Sequence, residues 1–558
     1  MPAFSCIFFC TIVLSVMLEF TPLNPILKPL RLKSSACISL NRHMTKISTE
    51  VSLMRNALII LLSTLALVAC AGEEEMASSA PMPAAPLSSD EVLANVQAAM
   101  GTENLSSITV SGRAWSIRNS FRQTRSANPP WISRDEIMHY VRTIDLAAPA
   151  SLASGDTYVQ NLFYDPQYPA DYTQNITAQD MNWSNQLNIW LTPWGFLQGA
   201  ETNGVSVSMM DGDTVLSWIS PENQTSPSGM RYTVNAHIND DNLISMTETW
   251  VEDDFMGNMR VSAVYRDYEE MDGVMVPATS EIWQGGGAIF GVALLAADAN
   301  PTNLTALITP PPGGGRGGFG PPPGGAAPSP ADLIEEVAPG VYHITTNYNS
   351  LAVEFEDGFI VFESGGFPPR ANAGIIMEAV ASVSEKPITA VINSHPHSDH
   401  TPSLIPMVSA GIPLIVSENS VDFLRMALST PRTLLGEDTL NPEFQVVPDN
   451  GVMVIEDSMN RLEIHHVPNI HTDSMLFAYL PEHRLAIQAD FTIRADDNDN
   501  TLPWQGQNRI VQGLAIYVDA NGLEFDTLLG VHAPSYPQDS DDVLMALPDP
   551  DFVAPSPF

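Results

Sequence analysis

A chain of 558 residues is too long for one ordinary domain of about 150 residues, and 44% hydrophobic content supplies enough apolar material for packed cores, which excludes wholesale disorder. The charge is lopsided: 24 Lys and Arg face 64 Asp and Glu, a formal net charge of -40, and from Cys70 onward 18 basic side chains face 62 acidic ones, with Lys386 the one lysine. So acidic a surface repels phosphate backbones, which excludes nucleic acid as a partner; it reads as a solvation device for salty surroundings.

Residues 1–53 carry an apolar run, Ala3 to Leu18, ahead of what is already a complete export signal. Translation starting at Met54 accounts for this; a genuine N-terminal anchor is the alternative. Residues 54–69 hold that signal: Met54-Arg55-Asn56, an apolar run from Ala57 to Ala66, then Leu67-Val68-Ala69 before Cys70. The ending resembles a bacterial lipoprotein lipobox. The resemblance implies cleavage before Cys70 and acylation of its thiol, hence a lipid anchor to the membrane. Ala71 in place of Asp after the cysteine points to the periplasmic face of the outer membrane. The alternatives are an ordinary signal peptide or a membrane helix, although the run is short for a span of about 20 residues. Cys6, Cys10, Cys37 and Cys70 are the four cysteines, so nothing after Cys70 can build a disulfide framework or a cysteine-based zinc site.

Residues 70–89, rich in Ala, Pro, Ser and Glu, read as a tether. A β-rich front domain follows over 90–308. It opens with a helix from Ser89-Asp90, with Val92, Leu93, Val96 and Ala99 at helical spacing and Gly101 as the stop. Strands are predicted at Ile108–Arg113, Val205–Met209, Met230–His237, Leu243–Val251 and Arg260–Tyr268, because apolar and polar residues alternate there. Asn239 to Asn242 and Asp272-Gly273 are the turns between them. Residues 309–331, dominated by Pro and Gly, cannot form a core and read as a linker, and 332–545 form a second domain.

In this rear domain Val341–Thr345, Leu351–Phe355 and Phe359–Phe362 are short apolar segments, Ala371–Val383 a helix and Ile388–Ile392 a buried strand. That strand runs straight into His395, His397, Asp399 and His400, four potential metal ligands within six residues. Ligands just beyond the C-terminal end of a buried strand stand on rigid backbone at a sheet rim. Imidazole and carboxylate donors suit zinc, and also manganese or iron.

The pattern H-x-H-x-D-H after a strand resembles the metallo-beta-lactamase fold superfamily. The resemblance covers about 210 residues and implies an α/β fold: an αββα sandwich with two metals at one edge, here preceded by a separate β-rich domain. It also implies a further His, a bridging Asp and a last His, and these follow in order. Leu462–Val467 leads to His471, Leu485 to Ala489 ends on Asp490, and Leu528 to Val531 ends on His532. Carried over, His395, His397 and His471 would hold one zinc ion, Asp399, His400 and His532 the second, and Asp490 would bridge. Asp399 and Asp490 are the catalytic candidates, through a metal-bound hydroxide.

Two departures stand out. Where many relatives end a strand in Asp, this chain has Glu363, which either fixes a ligand from behind or merely caps the strand. The usual Gly-His-Thr-Pro-Gly is here Ile470-His471-Thr472-Asp473-Ser474, making Asp473 a supporting or alternative ligand. His237, His343, His465, His466 and His483 read as packed or exposed side chains. Tyr348, Trp504 and Tyr536 are candidate pocket aromatics. The front domain looks similar, through Arg142 to Asp145 and Asp267 to Pro277, to that of exported bacterial members of the superfamily, a likeness that implies no activity.

The expected function is metal-dependent hydrolysis of a small-molecule ester, thioester, lactone or amide in the cell envelope, with no obligate protein partner deducible. A nuclease conflicts with the acidic surface, and flavin-linked oxygen reduction with His397. The alternatives are a non-catalytic envelope lipoprotein with a structural metal site, or an iron-dependent sulfur oxygenase.

Overall fold

The computed structural model describes residues 88–117, 120–131, 134–158, 170–180, 182–210, 212–310, 329–366, 369–491, 508–532 and 539–547. The export signal, Cys70, nearly all of the tether, most of the Pro/Gly-rich linker, Trp504 and Tyr536 lie outside the described residues. Among the described residues, no helix is long and apolar enough to cross a membrane.

The predicted first helix spans Ser89–Met100, and its cap is Ser88: the Ser88 hydroxyl accepts from Glu91 N while the Glu91 carboxylate accepts from Ser88 N. Gly101 ends it in the left-handed conformation. Behind it stands one sheet of eleven strands. Its first four strands form a meander from Ser107–Ile117 out to Ala170–Ile176, and the other seven form a second from Ser206–Met210 to Gly287–Ala299. Antiparallel pairing of Ser107–Ile117 with Gly287–Ala299 joins the two meanders at mid-sheet. The predicted turns occur, with Asn242 N donating to Asn239 O and both Asp272 and Gly273 at positive φ, as a two-residue hairpin requires.

Six strands of this sheet lie outside the predicted segments, among them Arg134–Asp145 and Gly287–Ala299. So do two helices, Trp183–Trp190 and Pro193–Asn203. Both helices break propensity rules with Gly, Asn and Trp. Packing holds them: Trp183 and Trp190 meet the buried Trp218 edge-on, at centroid distances of 6.2 and 5.6 Å.

The rear domain is the expected four-layer sandwich. A seven-stranded sheet runs in chain order from Ile334–Ala338 to Phe444–Val447, and a five-stranded sheet from Val452–Glu456 to Thr527–Gly530. Strand alternation sorts the side chains between layers. Ile360, Phe362, Ala390 and Ile392 face inward, onto Ile464, Leu476 and Ile487 of the other sheet. Phe359, Val361 and Val391 face outward, in a cluster with Ala373, Ile376 and Val380 of helix Pro369–Val383. Helix Asn508–Asn521 covers the far side of the second sheet through Val511, Leu514 and Val518.

Front and rear domains are distinct in sheet and sequence, yet one hydrophobic cluster runs through both. Phe255, from a front-domain hairpin, meets Phe423 at 6.1 Å between ring centroids. Arg432, fully buried, donates to the carbonyls of Phe255 and Asp254. Gly257 in that hairpin is at φ +66°, and a Cβ there would lie 2.6 Å from Pro431 O, so only glycine permits this approach.

Candidate metal centre

Six of the seven predicted ligands follow three strands, and His471 lies in the loop after the strand Arg461–His466. His395 to His400 follow Ile388–Ile392, Asp490 follows Leu485–Gln488, and His532 follows Thr527–Gly530. Their donor atoms converge into two groups: His395, His397, His471 and Asp490, and Asp399, His400, Asp490 and His532, with all donors in a group within 4.8 Å of one another. Asp490 belongs to both. Its Oδ2 lies 3.1 Å from His471 Nε2 and 3.5 Å from His395 Nε2, whereas its Oδ1 faces His400 Nε2 at 3.4 Å and His532 Nε2. Each carboxylate oxygen thus addresses one group, the arrangement a bridging ligand needs.

Although these separations are short, His395 Nε2, His397 Nδ1, His471 Nε2 and Asp490 Oδ1 are buried with no hydrogen-bond partner. A buried unpaired polar atom costs about 1–3 kcal/mol; three such imidazole nitrogens belong to the first donor group and Asp490 Oδ1 faces the second, an arrangement that bound cations would satisfy. Three imidazole nitrogens and a carboxylate fit a zinc-like divalent ion. The residues therefore fit the predicted metals.

The opposite edges of these side chains are held by the protein. His400 Nδ1 donates to Glu363 Oε2 at 3.1 Å, and Glu363 Oε1 accepts from Ser394 N at 2.7 Å. Glu363 thus holds His400 from behind, with Nε2 of that imidazole turned toward Asp490 and Asp399. Asp473 is different. Its carboxylate accepts from Ser474 Oγ, and it joins neither donor group. It serves the fold through its backbone, with its carbonyl accepting from His466 Nε2 and Asn419 Nδ2. Tyr348 does reach the site: its hydroxyl donates to Asp399 Oδ2 at 3.1 Å and its ring meets His532 at 4.3 Å. His237, His343, His465, His466 and His483 belong to neither group.

The electrostatics favour neutral His395 and His397 and ionised Asp399 and Asp490. Burial pushes the His395 imidazole down to about 4, aided by His400, and burial with His395 and His471 holds His397 well below its ordinary value. Burial works to raise Asp399, but His400 prevails and the carboxyl sits at about 2. For Asp490 the same opposition ends well below the usual carboxylate range. His400 runs the other way: burial would lower it, yet Glu363, Asp490 and Asp399 together raise it well above.

One set of contacts had no signal in the sequence. The front-domain segment Phe121 to Trp131 lies against the ligand loop. Ser398 N donates to Arg122 O at 3.0 Å, and Arg122 Nη2 donates to Thr401 Oγ1 at 3.0 Å. Gln123 Nε2 donates to Asp399 Oδ1 at 2.9 Å and to Ser398 Oγ at 2.8 Å. His397 Nε2 donates to Thr124 O at 3.1 Å, and Asp473 N to Arg125 O at 2.8 Å.

Comparison with known proteins adds a family to this geometry. The family model described as the Metallo-beta-lactamase superfamily matches residues 344–556. Among solved structures, similarity is found to a B3 metallo-beta-lactamase with an active-site glutamic acid, at 19% identity and TM-score 0.28, covering 38% of this chain and 85% of that one. It is also found to the metallo-beta-lactamase SMB-1 bound to 2-mercaptoethanesulfonate, at 15% identity and TM-score 0.27, covering 37% and 81%. A third is the stereoselective inverting sec-alkylsulfatase Pisa1 from Pseudomonas sp., at 16% identity and TM-score 0.27, covering 38% and 40%. No curated protein matches the sequence.

Proposed function

We propose, from the premise that residues 344–556 of this chain belong to the metallo-beta-lactamase superfamily, that the protein is a dinuclear metal-dependent hydrolase of the cell envelope, cleaving a small-molecule ester, thioester, lactone or amide. The observation that carries this reading is the sharing of Asp490 between two donor groups, with buried, partnerless imidazole nitrogens aimed at its carboxylate. His395, His397 and His471 would hold one cation and Asp399, His400 and His532 the other, zinc being the best match to the donors. When bound, such a pair supplies a hydroxide at neutral pH and polarises the substrate oxygen.

The protein's own groups do the rest. Asp399 keeps Oδ2 toward the centre while Gln123 holds Oδ1, so this carboxylate is oriented to align a water or pass a proton to a leaving group. Tyr348 covers Asp399 and His532 with an edge-on ring and narrows access by water. Glu363 keeps His400 turned inward.

The test is metal analysis of the purified protein together with ester, lactone and nitrocefin hydrolysis by wild type, Asp490→Ala and His397→Ala. Two equivalents of metal and a loss of activity of at least 100-fold in both variants are expected. Metal below two equivalents, or unimpaired variants, would overturn the reading. Export and acylation of Cys70 belong to the same proposal, and mass spectrometry of the mature N-terminus tests them: an uncleaved, unmodified Met1 refutes both.

A further inference from the structure

The segment Phe121 to Trp131 is built as a rigid arm. Phe121, Ala127 and Trp131 are buried, and the Phe121 and Trp131 rings lie 5.4 Å apart. The floor beneath them is made of glycines: a Cβ on Gly285 would lie 2.3 Å from the Phe121 ring, and one on Gly287 2.7 Å from Pro129 and 2.9 Å from the Trp131 ring. The Thr124 hydroxyl donates to the Ser126 and Phe121 carbonyls and closes the turn at the tip. Groups offered by such a tip are fixed relative to the front-domain sheet.

Those groups meet the ligands on the edges away from the centre. With the His397 proton on Nε2 and donated to the Thr124 carbonyl, Nδ1 keeps its lone pair and is the buried, partnerless atom facing His395 and His471. Asp399 is divided in the same way: Oδ2 lies 3.5 Å from His400 Nε2, while Oδ1 is taken by Gln123. One ligand of each donor group is therefore oriented by the other domain. An outer hydrogen bond of this kind fixes ring tautomer and carboxylate rotation, and its loss lowers metal affinity about 10–100-fold.

We propose that the front domain is a working part of the metal centre, with Gln123 the positioning residue for Asp399 and the Thr124 carbonyl the positioning group for His397. This rests on the dinuclear reading above. It gives the front domain a function: to complete the ligand geometry, rather than only to carry the rear domain or bind a separate ligand.

The test is Gln123→Met in the full chain, which keeps side-chain length but removes the donor. Cobalt(II) titration of the metal-free protein followed by visible absorption reads the two sites in turn, and steady-state kinetics on whichever ester or lactone the wild type cleaves reads the reaction. The expected result is a second cobalt bound about tenfold or more weakly, an altered absorption band for that second ion, an unchanged first ion, and a fall in kcat with KM within twofold. Gly285→Ala, which displaces Phe121 from behind the arm, is expected to weaken both ions, since Thr124 and Gln123 move together. If wild type binds two cobalt ions and Gln123→Met matches it within twofold in affinity and spectrum, the inference is overturned alone. If wild type itself binds fewer than two, the dinuclear reading fails and takes the inference with it.

Discussion

Glu363→Gln is the sharpest perturbation of the centre that leaves every ligand in place. Glu363 is buried and accepts two hydrogen bonds, from His400 Nδ1 at 3.1 Å and from Ser394 N at 2.7 Å. Glutamine has the same length, but only one of its termini accepts, so either the imidazole or the backbone amide must face an NH2 group. One hydrogen bond to a charged acceptor, worth about 1.5–3 kcal/mol, is lost, and a buried donor is left opposed to a donor. The metal-free protein should therefore be less stable by about 2–3 kcal/mol. If His400 loses its orientation, the cation proposed for the group of His400, Asp399 and His532 should bind about 10–100-fold more weakly, which is about 1.4–2.7 kcal/mol. Urea unfolding in EDTA reads the first quantity, and competition against a chromogenic chelator reads the second. A variant with unchanged urea midpoint and both affinities within twofold of wild type would refute the argument that Glu363 acts through His400.

Arg432→Met removes the buried guanidinium that donates to Asp254 O and Phe255 O and pairs with Glu437. Breaking such a buried arrangement costs about 3–5 kcal/mol, and the front-domain hairpin should become a protease-sensitive point, read by limited proteolysis and urea unfolding. The metal-free protein should also lose stability as pH falls from about 6.5 to 4. In that window an unfolded His395 takes up a proton while the buried one, pushed down to about 4, does not, so the unfolded state binds more protons. His397 acts in the same direction. His400, raised well above its ordinary value, contributes stability below about 6.5 that is lost as pH climbs through its folded pKa. Urea midpoints across pH 4–7 in EDTA, for wild type and His395→Gln, should differ in slope; parallel curves would refute the assignment to His395.

How much of this could be read beforehand depended on how local the cause was. The ligand cluster was legible because four donors within six residues, at the end of the strand Ile388–Ile392, are chemically unlike anything a core needs. Sheet layering in the rear domain was implied by the superfamily resemblance, and its physical basis is the sorting of Phe359 to Phe362 onto two faces. By contrast, Trp183–Trp190 and Pro193–Asn203 carry no strong helical pattern, and their reason for being helical is Trp218, a distant partner. Gln123 and Thr124 were invisible for a related reason. Their role comes from contacts across 273 and 276 positions of chain, one of them through a backbone carbonyl that every residue type possesses.

Asp490 and Glu363 share one further property: φ of +60° and +64°, a region disfavoured for side chains with a Cβ. Each such residue costs about 1–3 kcal/mol and persists only where its surroundings fix it. Glu363 follows the strand Phe359–Phe362 and Asp490 the strand Leu485–Gln488, one on each of the two packed sheets. At both places an extended chain must turn so that a carboxylate folds back over the rim instead of continuing along the strand. Glycine would make the turn without strain but would supply no oxygen. The strain therefore marks the two points at which the sheets commit a charged group to the centre. On the proposed reading Asp490 enters it directly and Glu363 acts through His400, while Gln123 and Thr124 approach the same side chains from the turn between two strands of a third sheet. Three sheets, packed on one another through shared hydrophobic clusters, thus bring side chains to one group of donors, and each fixes a different edge of it.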